Sequence, residues 1–139
     1  SRGGVTMSKV QRFGVSLEEE LLEELDALVE KHGFPNRSQA IRYLIRNNRV
    51  EEAWAENREV AGALILVFDH HRNSLVNESL KVQHDFHDII LATQHVHVDH
   101  DQCMEIIALR GQASQLTHLS NRLIALKGMI HGRLVMSGV

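Results

Sequence analysis

The first strand-like stretch of the chain is followed only by two helices before the pattern changes, and this limits the fold more than any other feature. In Val10–Leu17, Phe13, Val15 and Leu17 alternate with Arg12, Gly14 and Ser16, so one face is apolar and the other polar. Ser16, with Glu19 three residues on, reads as a capping box that opens a helix. That helix carries Leu21, Leu22, Leu25, Leu28 and Val29 on one stripe and stops at Gly33. Beyond Phe34-Pro35, Asn36 or Ser38 caps a second helix, with Ile41, Leu44 and Ile45 inward and Arg42, Arg46 and Arg49 mostly outward. A strand and two helices in about 45 residues cannot bury a sufficient core, and the strand leaves its hydrogen-bonding edges open.

The economical solution is a second copy. Two such strands pair antiparallel over four intertwined helices, which is a ribbon-helix-helix dimer. Its two-fold axis gathers Arg12, Gly14 and Ser16 of both chains on one outward surface sized for a DNA major groove. The charge distribution allows this although the net charge is only −3. Seven acids and no base lie between Glu18 and Glu30, then five bases and no acid between Lys31 and Arg49. Such segregation can aim a locally basic surface at a polyanion; two oppositely charged solvated helix faces explain it equally well.

After a polar stretch over Val50–Val60 the pattern becomes strand at Ala61–His70, helix at Asn73–Asp88, strands at Ile89–Val98 and Cys103–Arg110, helix at Ser114–Lys127 and strand at Met129–Met136. The weakly periodic first helix carries Leu75, Val76, Leu80 and Val82; the second has Leu116, Leu119, Leu123 and Leu126 inward. The order β-α-β-β-α-β is the ferredoxin-like, ACT-like split motif. The expected class is therefore α+β. Residues 1–8 are expected to be a disordered arm or an expression scar ahead of Met7, 9–52 the ribbon-helix-helix domain, 53–60 a linker and 61–139 the ferredoxin-like domain.

Within that second domain, His95-Val96-His97 precedes the only thiol, Cys103, by a short turn through Asp99–Gln102. On a strand, His95 and His97 share a face. A register with His97 opposite Cys103 brings the thiol to the same face, so three transition-metal ligands converge on one hairpin. A lone cysteine is most often a buried apolar filler, and strand histidines are often only hydrogen-bonded groups. Seven of the ten histidines (His70, His71, His84, His87, His95, His97 and His100) nevertheless fall within 31 positions, a concentration that ligation explains and core packing does not.

Composition bounds the rest. At 43% hydrophobic and 24% charged residues the chain reads as a folded soluble protein. The single cysteine excludes an intrachain disulfide framework and suits a reducing cytoplasm. No apolar run approaches the roughly 18 residues that span a bilayer, and the N-terminus lacks a signal-peptide core.

Together these segments resemble the nickel-responsive transcriptional regulators of the NikR family. The likeness covers the chain from about Lys9 and rests on Leu17-Glu18-Glu19-Glu20-Leu21-Leu22, Asn36-Arg37-Ser38-Gln39-Ala40-Ile41-Arg42, Gln83-His84, His95-Val96-His97 and Cys103-Met104-Glu105-Ile106. The resemblance implies one nickel per subunit in a square-planar site of three His and one Cys. His95, His97 and Cys103 would come from one chain and His84 from a neighbour. His87 and His100 then stand beside the ligands or on the surface. In the hairpin register Glu105 lies opposite His95, placed to accept its free ring N–H. The resemblance further implies a homotetramer, a dimer of dimers, in which nickel tunes two DNA-binding modules to a split palindromic operator. It assigns base reading to Arg12, Gly14 and Ser16, and phosphate binding to the helix start at Asn36, Arg37 and Ser38.

Two departures stand out. The middle reading position is a threonine in other members, and Gly14 offers no side chain. The positions of an acidic pair that holds an accessory cation in some members are Gln39 and Tyr43 here, which argues against that site. The expected function is a nickel-dependent, non-enzymatic repressor of nickel-uptake genes that binds double-stranded DNA in the cytoplasm. The alternatives are metal storage or trafficking, or a ribbon-helix-helix regulator sensing another metal or a small molecule.

Overall fold

A computed structural model describes residues 8–139; most of the stretch expected to be an arm or scar, residues 1–7, lies outside the described residues. The chain divides into two compact units, with the boundary between Tyr43 and Leu44.

In the first unit, helix α1 spans Glu19–His32 and ends at Gly33. Gly33 takes the left-handed conformation (φ 67°), and the N–H groups of Gly33 and Phe34 close onto the carbonyls of Glu30 and Val29 at 3.2 and 3.0 Å. Glycine is needed there because a Cβ disfavours that conformation. The expected capping box is not formed. The residue that precedes the helix is Glu18, and no side chain caps it. Ser16 stands two residues too far upstream, and Glu19 and Glu20 favour the start through their charge on the helix dipole. Helix α2, Arg37–Ala55, opens on Asn36, whose side-chain oxygen accepts the Gln39 N–H at 2.9 Å. Asn36, not Ser38, is therefore the cap. Asp26 and Arg37 join the two helices by a two-pronged ion pair at 2.8 and 3.0 Å. His32, Phe34 and Tyr43 cluster with ring centroids 5.1–5.3 Å apart.

Residues 8–18 form no strand ladder within the chain. The physical reason is simple: a ribbon strand exists only as a pair. The apolar residues expected inward are correspondingly open. Phe13 is 74% exposed, Val15 60%, Leu21 48% and Ile45 57%, and Ala40 is the one fully buried residue of α2.

In the second unit, strands β1 (Glu59–Asp69), β2 (Ile90–His97), β3 (Gln102–Gln112) and β4 (Met129–Ser137) form one antiparallel sheet in the order β2-β3-β1-β4. Helices α3 (Asn73–Asp85) and α4 (Ala113–Ile124) cross over between β1 and β2 and between β3 and β4, giving the expected βαββαβ order. Alternate residues Val60, Leu64, Leu66 and Phe68 of β1 and Ile107 and Leu109 of β3 meet Leu75, Val82, Leu116, Leu119 and Leu123 of the helices in one core. Leu80, counted on the apolar stripe of α3, is 55% exposed; the buried positions are Leu75, Ser79, Val82 and Gln83. The i, i+4 spacing carries Ser79 and Gln83 inward instead, for a polar reason given below.

The stretch 53–60 expected as a linker is the last turn of α2, three connecting residues and the start of β1. It is tied down by its own side chains. Trp54 Nε1 donates to the Ser137 carbonyl at 2.8 Å. Asn57, in the left-handed region at φ 56°, accepts the Ser114 N–H at the start of α4 at 2.8 Å.

Candidate metal centre and nucleic-acid surface

The β2–β3 hairpin has the expected register. His97 pairs with Cys103 and His95 with Glu105, so all four side chains leave the sheet on the face that carries the helices. The turn is held by Asp99, whose Oδ1 accepts the N–H groups of Asp101 and Gln102 at 2.9 and 2.8 Å. Those two bonds keep the Asp99 carboxyl below its ordinary range.

Glu105 is only 2% exposed, and a buried carboxylate must be satisfied. His95 Nε2 lies 2.9 Å from one of its oxygens, and Gln83 Nε2 lies 3.3 Å from each. The Gln83 amide nitrogen also lies 3.1 Å from the Ser79 hydroxyl, which explains why α3 turns two polar residues inward. Every buried side-chain polar atom among the described residues has a partner. The Ser79–Gln83–Glu105 chain thus orients one expected ligand from beneath, as a carboxylate commonly does for a metal-binding imidazole. Sequence reasoning found Glu105 through the register. It missed Ser79 and Gln83, although two polar residues at i, i+4 between apolar positions were the available signal.

Cys103 is buried and unoxidised. Burial, then the charges of Glu105 and Asp69, push its thiol above the ordinary range. His97 is exposed, and its ring stands edge-on to His70 at 5.1 Å. His84 is exposed on α3, its ring stacked over His87 at 5.8 Å. His87 Nδ1 lies 3.0 Å from the His84 carbonyl and Nε2 2.9 Å from Asp88. No three of His84, His95, His97 and Cys103 bring their donor atoms within 4.8 Å of one another in the single chain. The hairpin presents two imidazoles and a thiol on one open face. That donor set fits a borderline first-row ion such as nickel, and it leaves the set to be closed from outside.

On the other unit, Arg12, Gly14 and Ser16 are all exposed. Residues 10–13 border Ser38, Ile41 and Arg42 around a shallow cavity of about 440 Å³, which places Arg12 beside the start of α2. Asn36 spends its oxygen on the cap, and Arg37 faces Asp26, which lowers the Asp26 pKa and raises that of Arg37. Gln39 accepts a bond from Arg42 at 2.7 Å and Tyr43 lies in the aromatic cluster, so both accessory-cation positions are otherwise engaged.

Comparison with known proteins follows the same division. Residues 61–137 match the family described as "NikR C terminal nickel binding domain", and residues 11–52 match "Ribbon-helix-helix protein, copG family". A protein of Syntrophus aciditrophicus is 48% identical over 133 residues, covering 96% of this chain and 97% of its own length. One from Chlorobaculum parvum is 46% identical over 131 residues, covering 94% and 98%. Both bear the name "Putative nickel-responsive regulator". Among solved structures, an uncharacterized protein from Thermotoga maritima aligns with a TM-score of 0.52 at 18% identity over 57% of this chain and 98% of that one, a likeness of fold alone. Two domains in this order and close relatives over nearly the whole length leave one conclusion: the chain belongs to the nickel-responsive ribbon-helix-helix regulators of the NikR family, which are transcription regulators and not enzymes.

Proposed function

We propose that the chain is a nickel-dependent repressor, active on cytoplasmic DNA, that controls nickel-uptake genes through a palindromic operator. The observation that carries this reading is the hairpin register, which sets His95, His97 and Cys103 on one open face above a buried carboxylate. His84 of a neighbouring subunit supplies the fourth donor, so that each subunit holds one Ni2+ and each ion bridges two chains. A site split in this way makes metal binding an assembly signal, because ligation stabilises only the associated form. The exposed apolar residues Phe13, Val15, Leu21 and Ile45 support pairing of the N-terminal segments. A tetramer, built as a dimer of such dimers, follows from joining them through the ferredoxin-like domains.

In the paired ribbon, Arg12, Gly14 and Ser16 face the base edges. The α2 start at Asn36, Arg37 and Ser38 takes a phosphate through its free backbone N–H groups. Gly14 narrows the readout, leaving Arg12 as the strongest base-reading side chain.

The test is a mobility shift on the promoter of the host's nickel-uptake genes, with and without Ni2+, for the wild type and Cys103→Ala. Retarded DNA only with nickel, and only for the wild type, is the expected result. DNA binding by Cys103→Ala that still depends on nickel overturns the ligand assignment; binding indifferent to nickel overturns the sensor.

A further inference from the structure

Seven histidines crowd one region, and the hairpin uses only some of them. Among the described residues, the three metal-ligating side chains whose donor atoms all lie within 4.8 Å of one another are His71, His100 and Asp101. His100 Nδ1 stands 3.2 Å and His71 Nε2 3.7 Å from Asp101 Oδ1. All three are exposed, His100 at 92% of its side chain.

The antiparallel register explains their meeting. Asp69, the last residue of β1, pairs with Gln102, the first of β3. The segment that leaves β1 is therefore delivered against the β2–β3 turn. Backbone bonds then fix the two together. The His70 N–H reaches the Asp101 carbonyl at 3.2 Å, and His70 Nε2 lies 3.0 Å from the His100 carbonyl. The His71 N–H is held by Asp69 at 2.9 Å, and Asp99 fastens the turn from inside. Asp69 and Asp99 are thus occupied as acceptors, and His70 is occupied by a carbonyl. The donors left facing outward are those of His71, His100 and Asp101.

We propose that these three residues form a second divalent-metal site, separate from the hairpin ligands and specific to first-row transition ions. Two imidazoles and one carboxylate suit Ni2+, Zn2+ or Cu2+ and not Mg2+ or Ca2+. Metal–ligand bonds of about 2.0–2.2 Å set neighbouring donors about 3 to 4 Å apart, close to the present separations. With three protein donors and no thiolate, water completes the coordination, and the ion is held more weakly than at a Cys-containing site. The site fills only after the hairpin, at higher metal, and it lies on the turn that joins the strands bearing His97 and Cys103.

The proposal goes beyond the sensor reading and can fail separately from it. Untagged full-length protein is dialysed against Ni2+ alone, with bound metal counted and the thiolate-to-nickel absorption followed. The wild type takes two ions per chain, the absorption saturating with the first. Cys103→Ala loses the absorption and keeps one weaker ion. His71→Ala/His100→Ala keeps the absorption and binds the second ion about tenfold more weakly or not at all. Asp101→Asn weakens the same step, whereas His118→Ala, which removes an exposed imidazole elsewhere, leaves it unchanged. A second equivalent that binds equally well to the His71→Ala/His100→Ala protein, or that H118A loses too, overturns the proposal. If the absorption is absent from every protein while the double variant still loses an ion, the hairpin reading has failed and this one stands.

Discussion

At the scale of single residues, the chemistry turns on how Cys103 and His95 are held before metal arrives. Burial and two nearby carboxylates keep the Cys103 thiol protonated at neutral pH. Metal capture must therefore expel that proton, and affinity follows the thiolate fraction. Nickel affinity is expected to fall about tenfold per pH unit below neutrality, and more steeply below the usual histidine pKa of about 6.5. Competition against a chelator of known affinity, from pH 8 to pH 6, checks this; a flat profile removes the thiol from the ligand set. Glu105 acts on His95 through its 2.9 Å contact. Glu105→Gln keeps the buried shape and can still accept a bond, but it loses the charge that raises imidazole basicity. It should weaken nickel binding by about tenfold while the thiolate absorption and the thermal midpoint stay near wild type.

Among elements, helix α4 and strand β4 touch most closely at Gly132. A Cβ built there would lie 2.4 Å from Ile124 Cγ1 and 3.1 Å from Leu66 Cδ2, both on the core side of the sheet. Neither can swing away without disturbing the core, so Gly132→Ala should destabilise the second unit by about 1–3 kcal/mol, read as a lower denaturant midpoint. The helix ends differ in kind. α2 has a side-chain cap in Asn36, whereas α1 starts with none and relies on Glu19 and Glu20. Asn36→Ala should cost about 1 kcal/mol of stability, measured in the same denaturation experiment.

For the whole molecule, the sheet of the second unit has two unlike faces. One carries the buried core. On the other, Ala63, Ile65 and Val67 of β1 and Met104, Ile106 and Ala108 of β3 remain half-buried, flanked by Val96 at 40% and Val135 at 47% exposure. An apolar surface of this extent is characteristic of a protein interface. Ile65→Glu should leave the domain folded by circular dichroism but reduce the oligomer seen by light scattering. An unchanged mass would mean that the subunits associate elsewhere.

Much of this was legible from residue order. Alternation at Ala61–His70 and Ile89–Val98 located β1 and β2, and the short turn through Asp99–Gln102 set the pairing of His97 with Cys103, because a tight turn leaves few registers open. The exposed leucines of α1 and the lone N-terminal strand pattern already required a partner. Local periodicity and turn chemistry carry such information because they depend on neighbours in sequence. It does not carry contacts between distant segments. That Gln83 and Ser79 serve Glu105, that Arg37 meets Asp26, and that His71 reaches His100 and Asp101 depends on which strand ends and helix faces the sheet order brings together, and only the folded chain decides that.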